Sequence, residues 1–142
     1  MSGNYKFIDH AADIAAEISG SSLEELFTAG AEAWLDSIVD ELNIEADDFS
    51  EIELSSSTKE ELLITFLNEL NYLLLTKKWL CISIQSLKIF DDIDGCELSV
   101  ELKGTKLKND IQLKHEIKSV TYHQVEIIKV NGNYSTLVVF DI

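Results

Sequence analysis

The 142-residue chain contains no proline, and all 11 of its basic residues are lysine. Without arginine the protein lacks the planar fork that grips phosphates bidentately. Its 26 acidic residues bring the formal net charge to −15, a field that repels polyanions. Direct nucleic-acid binding is therefore not expected as the main activity, and cations, metals or a basic protein partner suit the surface better. Cysteine is scarce: Cys81 and Cys96 form neither a metal-ligand pair nor a redox motif, and two are too few for a disulfide framework. Both fall in runs that read as strands, so they are expected as core thiols, and whether they pair stays open. No apolar run approaches the roughly 18 residues of a membrane span, and Met1–Lys6 has no apolar core of a leader. The expectation is a cytoplasmic protein that meets no membrane. With six glycines and no linker or repeat, residues 1–142 read as one domain. A chain of this size buries about 70% of its unfolded surface without needing staples.

What is present is strong periodicity. Tyr5–Ile8 is a short apolar run, and Asp13–Gly20 alternates as a half-buried strand. Ser22-Leu-Glu-Glu25 is a capping box that opens an amphipathic helix to about Val39, with Leu23, Phe27, Trp34 and Ile38 on one stripe. Asp40–Asp48 is acidic and aperiodic, hence a loop, and Ile52 and Leu54 mark a strand. A second capping box, Thr58-Lys-Glu-Glu61, opens a helix with Leu62, Phe66, Leu70 and Leu73 inward. Trp79–Phe90 and Cys96–Leu102 read as strands joined by a turn at Asp94-Gly95, followed by a polar, irregular Lys103–Ile111. Ile117–His123 and Val125–Val130 read as further strands, and Asn131-Gly132 is a hairpin turn leading into Tyr134–Asp141. The order predicts an α+β fold: a mainly antiparallel β-sheet with two amphipathic helices packed on one face.

Asp92-Ile-Asp94-Gly95 with Glu101 mimics part of a calcium loop. Phe90 occupies the first ligand position, however, and the flanks alternate like strands, so a hairpin is expected. The informative residues lie near the ends. Asp9-His10-Ala11-Ala12-Asp13 places two carboxylates and an imidazole within five residues, and Glu116-Ile-Lys118-Ser-Val-Thr-Tyr-His123 threads ionisable groups through an apolar strand. Asp141 follows the apolar run Leu137–Phe140, where a buried lone carboxylate would cost several kcal/mol unless compensated. With the terminal carboxylate of Ile142 it makes a hard-oxygen donor set suited to Ca²⁺, Mg²⁺ or Mn²⁺. On the residues alone the plainer readings are favoured: Asp13 as a turn residue, Asp141 as an exposed strand end, Lys118 as a surface charge, and His10 and His123 as structural histidines.

Five segments together resemble the archease family across essentially the whole chain. They are Asp-His-Ala-Ala-Asp at 9–13, Ser-Leu-Glu-Glu-Leu-Phe at 22–27, Phe-Leu-Asn-Glu-Leu at 66–70, Glu-Ile-Lys-Ser-Val-Thr-Tyr-His at 116–123, and Phe-Asp-Ile at 140–142. The resemblance implies an accessory protein rather than an enzyme. It implies an activator of an RtcB-type tRNA-splicing RNA ligase that promotes GTP- and metal-dependent guanylylation of the ligase and its multiple turnover. It places divalent-metal binding on Asp13, Asp141 and Ile142, and ties Lys118, and less directly Asp9, His10 and His123, to activity. The chain departs from the family pattern at Ala11 (commonly Thr), Phe66 (commonly Trp) and Ser119 (commonly Ala), and lacks an acidic residue common after Gly104. The alternative is a chaperone-like protein-binding modulator without a metal site, working through an exposed apolar patch. A small metal-dependent hydrolase on the same carboxylates is a third reading, for which the sequence places no base or nucleophile.

Overall fold

The computed structural model describes residues 3–8, 13–40, 43–122 and 125–142. In chain order the elements are β1 (Asn4–Ile8), β2 (Asp13–Gly20), α1 (Leu23–Ile38), β3 (Asp48–Ser56), α2 (Lys59–Leu75), β4 (Trp79–Asp92), β5 (Gly95–Lys106), β6 (Ser119–Val120), β7 (Ile128–Val130) and β8 (Asn133–Asp141). Both helices begin at their predicted caps. The Glu25 N–H donates to Ser22 Oγ and the Glu61 N–H to Thr58 Oγ1, each at 3.1 Å, which satisfies amide groups that have no partner inside the helix. The third-position glutamates reach one residue further back than in the usual box. Glu25 accepts from the Ser21 amide and hydroxyl, and Glu61 accepts from the Ser57 hydroxyl. Those bonds hold the Glu25 carboxyl below its ordinary pKa.

The antiparallel α+β reading holds, but the strands are shared between two sheets. One runs β1-β2-β8-β6 with β7 also on β8, and the other runs β3-β5-β4. Helix α1 packs on β1, β2 and β8 and reaches β4, while α2 packs on β3, β4 and β5 and reaches β6. The helices thus join the two sheets around a common core that includes Ile18, Phe27, Trp34, Phe66, Leu70, Leu102 and Phe140. The Phe27 and Phe66 rings stack at a centroid distance of 6.0 Å.

Two turns follow their sequence signals. Asn131 and Gly132 both take positive φ, 53° and 76°, as a type I′ hairpin requires. The Asp92–Gly95 segment turns β4 into β5 as a hairpin, with Gly95 at φ 135°. Three expectations need correction. The stretch from Lys103 is not irregular at its start: β5 runs to Lys106, with Gly104 paired to Asp48 and Cys81 and tucked against the Trp79 ring, where a Cβ would collide. Of the expected Ile117–His123 strand, whose last residue lies outside the described residues, only Ser119–Val120 pairs as a strand among those described. Only Ile128–Val130 of Val125–Val130 does so, because the Ile127 N–H is taken by the Glu60 carboxylate at 3.1 Å rather than by a ladder.

Cys81 and Cys96 are buried free thiols. They lie at opposite ends of the β4–β5 ladder, beside Gly104 and Asp91 respectively. Burial pushes each thiol up to about 12, reinforced at Cys96 by the Asp91 carboxylate, to which its Sγ donates at 2.8 Å. On the outer face of the three-stranded sheet Glu51 stands directly opposite Glu101, a like-charge pair that opposes strand pairing.

Two outcomes follow from this packing. Native protein at pH 8 should leave both thiols unreacted toward an aromatic disulfide reagent, with labelling appearing only on unfolding; rapid native labelling of either would contradict the burial. Thr136, 7% exposed, has a hydroxyl oxygen without a hydrogen-bond partner among the described residues. Replacing that hydroxyl by a methyl removes the desolvation cost of an unpaired polar group, about 1 kcal/mol or more. Thr136→Val should therefore raise the midpoint of thermal unfolding by about 2–4 °C, and a lower midpoint would show that the hydroxyl contributes stability.

Candidate functional site

The candidate residues come from segments far apart in sequence, and β8 gathers them. Strands β2 and β8 pair over eight positions, from Gly20 opposite Tyr134 to Asp13 opposite Asp141. On the other side of β8, Ser119 stands opposite Asp141 and Val120 opposite Phe140. Directly opposed residues of antiparallel strands share a face, with Cβ atoms about 4.5–5.5 Å apart. Asp13, Asp141 and Ser119 therefore form one row across three strands at the end of the sheet.

The alternation of burial says which face that is. Ala16, Ile18, Val138 and Phe140 are fully buried against the helices, so Asp13 and Asp141, out of phase with them, occupy the opposite face. Along β8 that face continues through Val139, Leu137 and Ser135, and Leu137 is exposed. Like charges directly opposite one another oppose strand pairing. Ile142 adjoins Asp141 and is exposed.

Lys118 reaches the same place by its backbone. Its N–H donates to the Asp141 carbonyl at 2.7 Å, and the Thr121 N–H donates to the Val139 carbonyl at 3.0 Å. The Lys118 side chain is exposed between buried Ile117 and half-buried Ser119. Asp9, His10 and His123, expected near this site, lie outside the described residues. Among the described residues no three His, Cys, Asp or Glu side chains gather at one point. What the structure brings together is Asp13 opposite Asp141, with Ile142 next to Asp141 in the chain.

Helix α2 supplies groups that the sequence did not single out. Asn68 Nδ2 donates to the Val120 carbonyl and its Oδ1 accepts from the Val120 N–H, both at 2.9 Å. One turn on, buried Asn71 donates to the Ile117 carbonyl at 2.7 Å and accepts from Trp34 Nε1 at 3.1 Å. The only available signal was polar residues spaced i, i+3 on a helix whose other stripe positions are leucines and Phe66. Two surface depressions lie elsewhere. One of about 520 Å³ is lined by Ser55, Phe90, Asp92 and Glu97, and one of about 350 Å³ by Tyr5, Glu32, Asp36 and Cys81. In the second, burial raises the Glu32 carboxyl, and the Tyr5 hydroxyl donates to Asp36 at 3.0 Å. Neither gathers the residues considered above.

A family model described as the Archease protein family (MTH1598/TM1083) matches residues 5–142. A curated relative, "Protein archease" of Archaeoglobus fulgidus, is 35% identical over 138 residues, covering 97% of this chain and 98% of its own. The solution structure of Methanobacterium thermoautotrophicum protein 1598 superposes with a TM-score of 0.83 at 27% identity, covering 97% of this chain and 98% of that one. A Thermotoga maritima crystal structure described as an archease and possible chaperone gives 0.65 at 28% identity, covering 96% of each.

Asn71→Ala should orphan two buried groups, the Trp34 indole N–H and the Ile117 carbonyl. At about 1–3 kcal/mol for each unpaired group, the expected loss is about 3 kcal/mol in urea unfolding. A loss under about 1 kcal/mol would show that this network contributes little to stability.

Proposed function

From the premise that this chain belongs to the archease family, we propose that it is an accessory protein activating an RtcB-type tRNA-splicing RNA ligase. In this reading it promotes metal- and GTP-dependent guanylylation of the ligase, and so its multiple turnover, from the sheet end that carries Asp13 and Asp141. One observation carries the reading: three remote segments, around residues 13, 118 and 141, converge on one end of one sheet. That register brings together the acidic and lysine-bearing motifs on which the resemblance rests.

The donor chemistry fits a hard divalent cation. Carboxylate and carbonyl oxygens are the ligands that Mg²⁺, Mn²⁺ and Ca²⁺ prefer, and the repulsion between Asp13 and Asp141 is relieved when positive charge sits beside them. Asp13, Asp141 and the main-chain oxygen of Ile142 are the groups that would hold such an ion. Bound there, it would supply positive charge for the oxygens of a triphosphate during nucleotidyl transfer. Lys118 offers a second positive charge nearby, on a backbone fixed to Asp141, and either steadies the carboxylates or meets a phosphate. The rest of the surface serves encounter: a net charge of −15 complements a ligase whose RNA-binding face is basic and speeds association. The site works in the cytoplasm, within reach of the ligase and its RNA.

The chaperone-like alternative draws on the description of the Thermotoga maritima structure as a possible chaperone. It needs a contiguous apolar patch, whereas Phe49 and Phe90 stand opposite Lys103 and Glu97, well apart along β5, and Ile93 is at the hairpin tip. Scattered exposed apolar residues of this kind on the three-stranded sheet are ordinary; on the five-stranded sheet Ile8, Ile128, Val130 and Leu137 are exposed as well, and they are the surface this alternative would use.

The deciding experiment adds the protein to a cognate RtcB-type ligase with GTP and Mn²⁺ and follows ligase guanylylation. The wild type should raise the rate, and Asp13→Ala or Asp141→Ala, with circular dichroism unchanged, should remove at least about tenfold of that stimulation, as losses at metal sites do. No stimulation by the wild type, combined with native binding of a hydrophobic dye, would favour the chaperone-like reading.

A further inference from the structure

Strand β6 is only two residues long, too short to hold itself on the edge of a sheet, and the way it is held bears on Lys118. One edge of β6 pairs with β8. On the other, Asn68 uses both halves of its side-chain amide on a single residue, donating to the Val120 carbonyl and accepting from the Val120 N–H. This is the bonding that a neighbouring strand would provide, supplied instead by a helix. Asn71 fixes the Ile117 carbonyl from the next turn. Between these two anchors stands Lys118, whose own N–H is bonded to the Asp141 carbonyl. A long lysine side chain is otherwise free to sweep a wide volume, and loses considerable rotamer entropy on being ordered. Anchoring its backbone on both sides limits where its ammonium group can go.

We propose that Asn68 is a positioning residue, standing in for a missing strand so that Lys118 is presented beside Asp13 and Asp141. Asn71 is buried in the Trp34 network and serves the core as well. Asn68 is only partly buried and bonds to nothing else that is described, so its amide acts on Val120 and, through it, on Lys118. The inference rests on the activation reading for its functional consequence. Its structural half stands apart from that reading.

Two measurements test it. The first needs no ligase. In native-state amide hydrogen exchange, Asn68→Ala should make the Lys118 N–H exchange at least tenfold faster while the amides of Ala16 and Ile18 on β2 keep their rates. An unchanged Lys118 rate would overturn the proposal, and so would a uniform acceleration throughout the molecule, which would mean only lost global stability. The second is a double-mutant cycle on stimulation of ligase guanylylation by GTP and Mn²⁺. Asn68→Ala should reduce the stimulation severalfold in the wild-type background and have no further effect in Lys118→Ala. Equal losses in both backgrounds would overturn the positioning role. If wild-type protein gives no stimulation, the activation reading fails, and the exchange experiment alone then decides whether Asn68 holds Lys118.

Discussion

The pairing of β2 with β8 is the contact on which the rest of the molecule depends. It joins a strand near the beginning of the chain to one near its end through eight opposed positions. Closing so long a loop is costly in chain entropy, although the cost grows only logarithmically with length. Burial offsets it: Ala16 and Ile18 on one strand and Val138 and Phe140 on the other are fully buried against the helices. With this ladder formed, β8 can accept β6 on its far side, and α2 can grip β6 through Asn68. The alternation of β8 gives one face to the core and leaves the other outside it.

Much of this was legible in the residues because the signals were local. Ser22 and Thr58 announced the helix starts, Asn131-Gly132 and Asp94-Gly95 the hairpins, and the alternation of Asp13–Gly20 a half-buried strand. The division into two sheets was not legible, since strand partners are chosen by long-range burial that periodicity does not encode. The boundaries around residues 103, 117 and 125 failed for a related reason. Gly104 stays in a strand because Trp79 and Asp48 lie beside it, and Ile127 leaves one because Glu60 takes its N–H. Of the site, the acidic positions stood out because a charged residue ending an apolar run is anomalous. Asn68 was quoted only as part of a helix motif and Asn71 not at all, and nothing in their spacing revealed what their amides would meet.

The remaining surface is economical in its chemistry. Asparagine amides, which carry no charge, do the bonding between α2 and the 117–120 segment, so this join is insensitive to the surrounding acidity. The acidic residues stay mostly outside, and some are poorly placed for stability, as with Glu51 opposite Glu101 on the three-stranded sheet. Such a pair opposes folding slightly.

The β2–β8 ladder also acts as a counting device. Side chains in a strand alternate with a period of two, so deleting or inserting one residue within 14–20 or 134–140 would shift the register by one and turn one aspartate to the opposite face. The same change between α1 and β3, or in the polar stretch after β5, would leave the two acids opposed. Length variation among descendants of this chain is therefore expected in those connections and not in the two strands, even where a substitution in either strand would be harmless. What lineage change must preserve here is a residue count as well as residue identity.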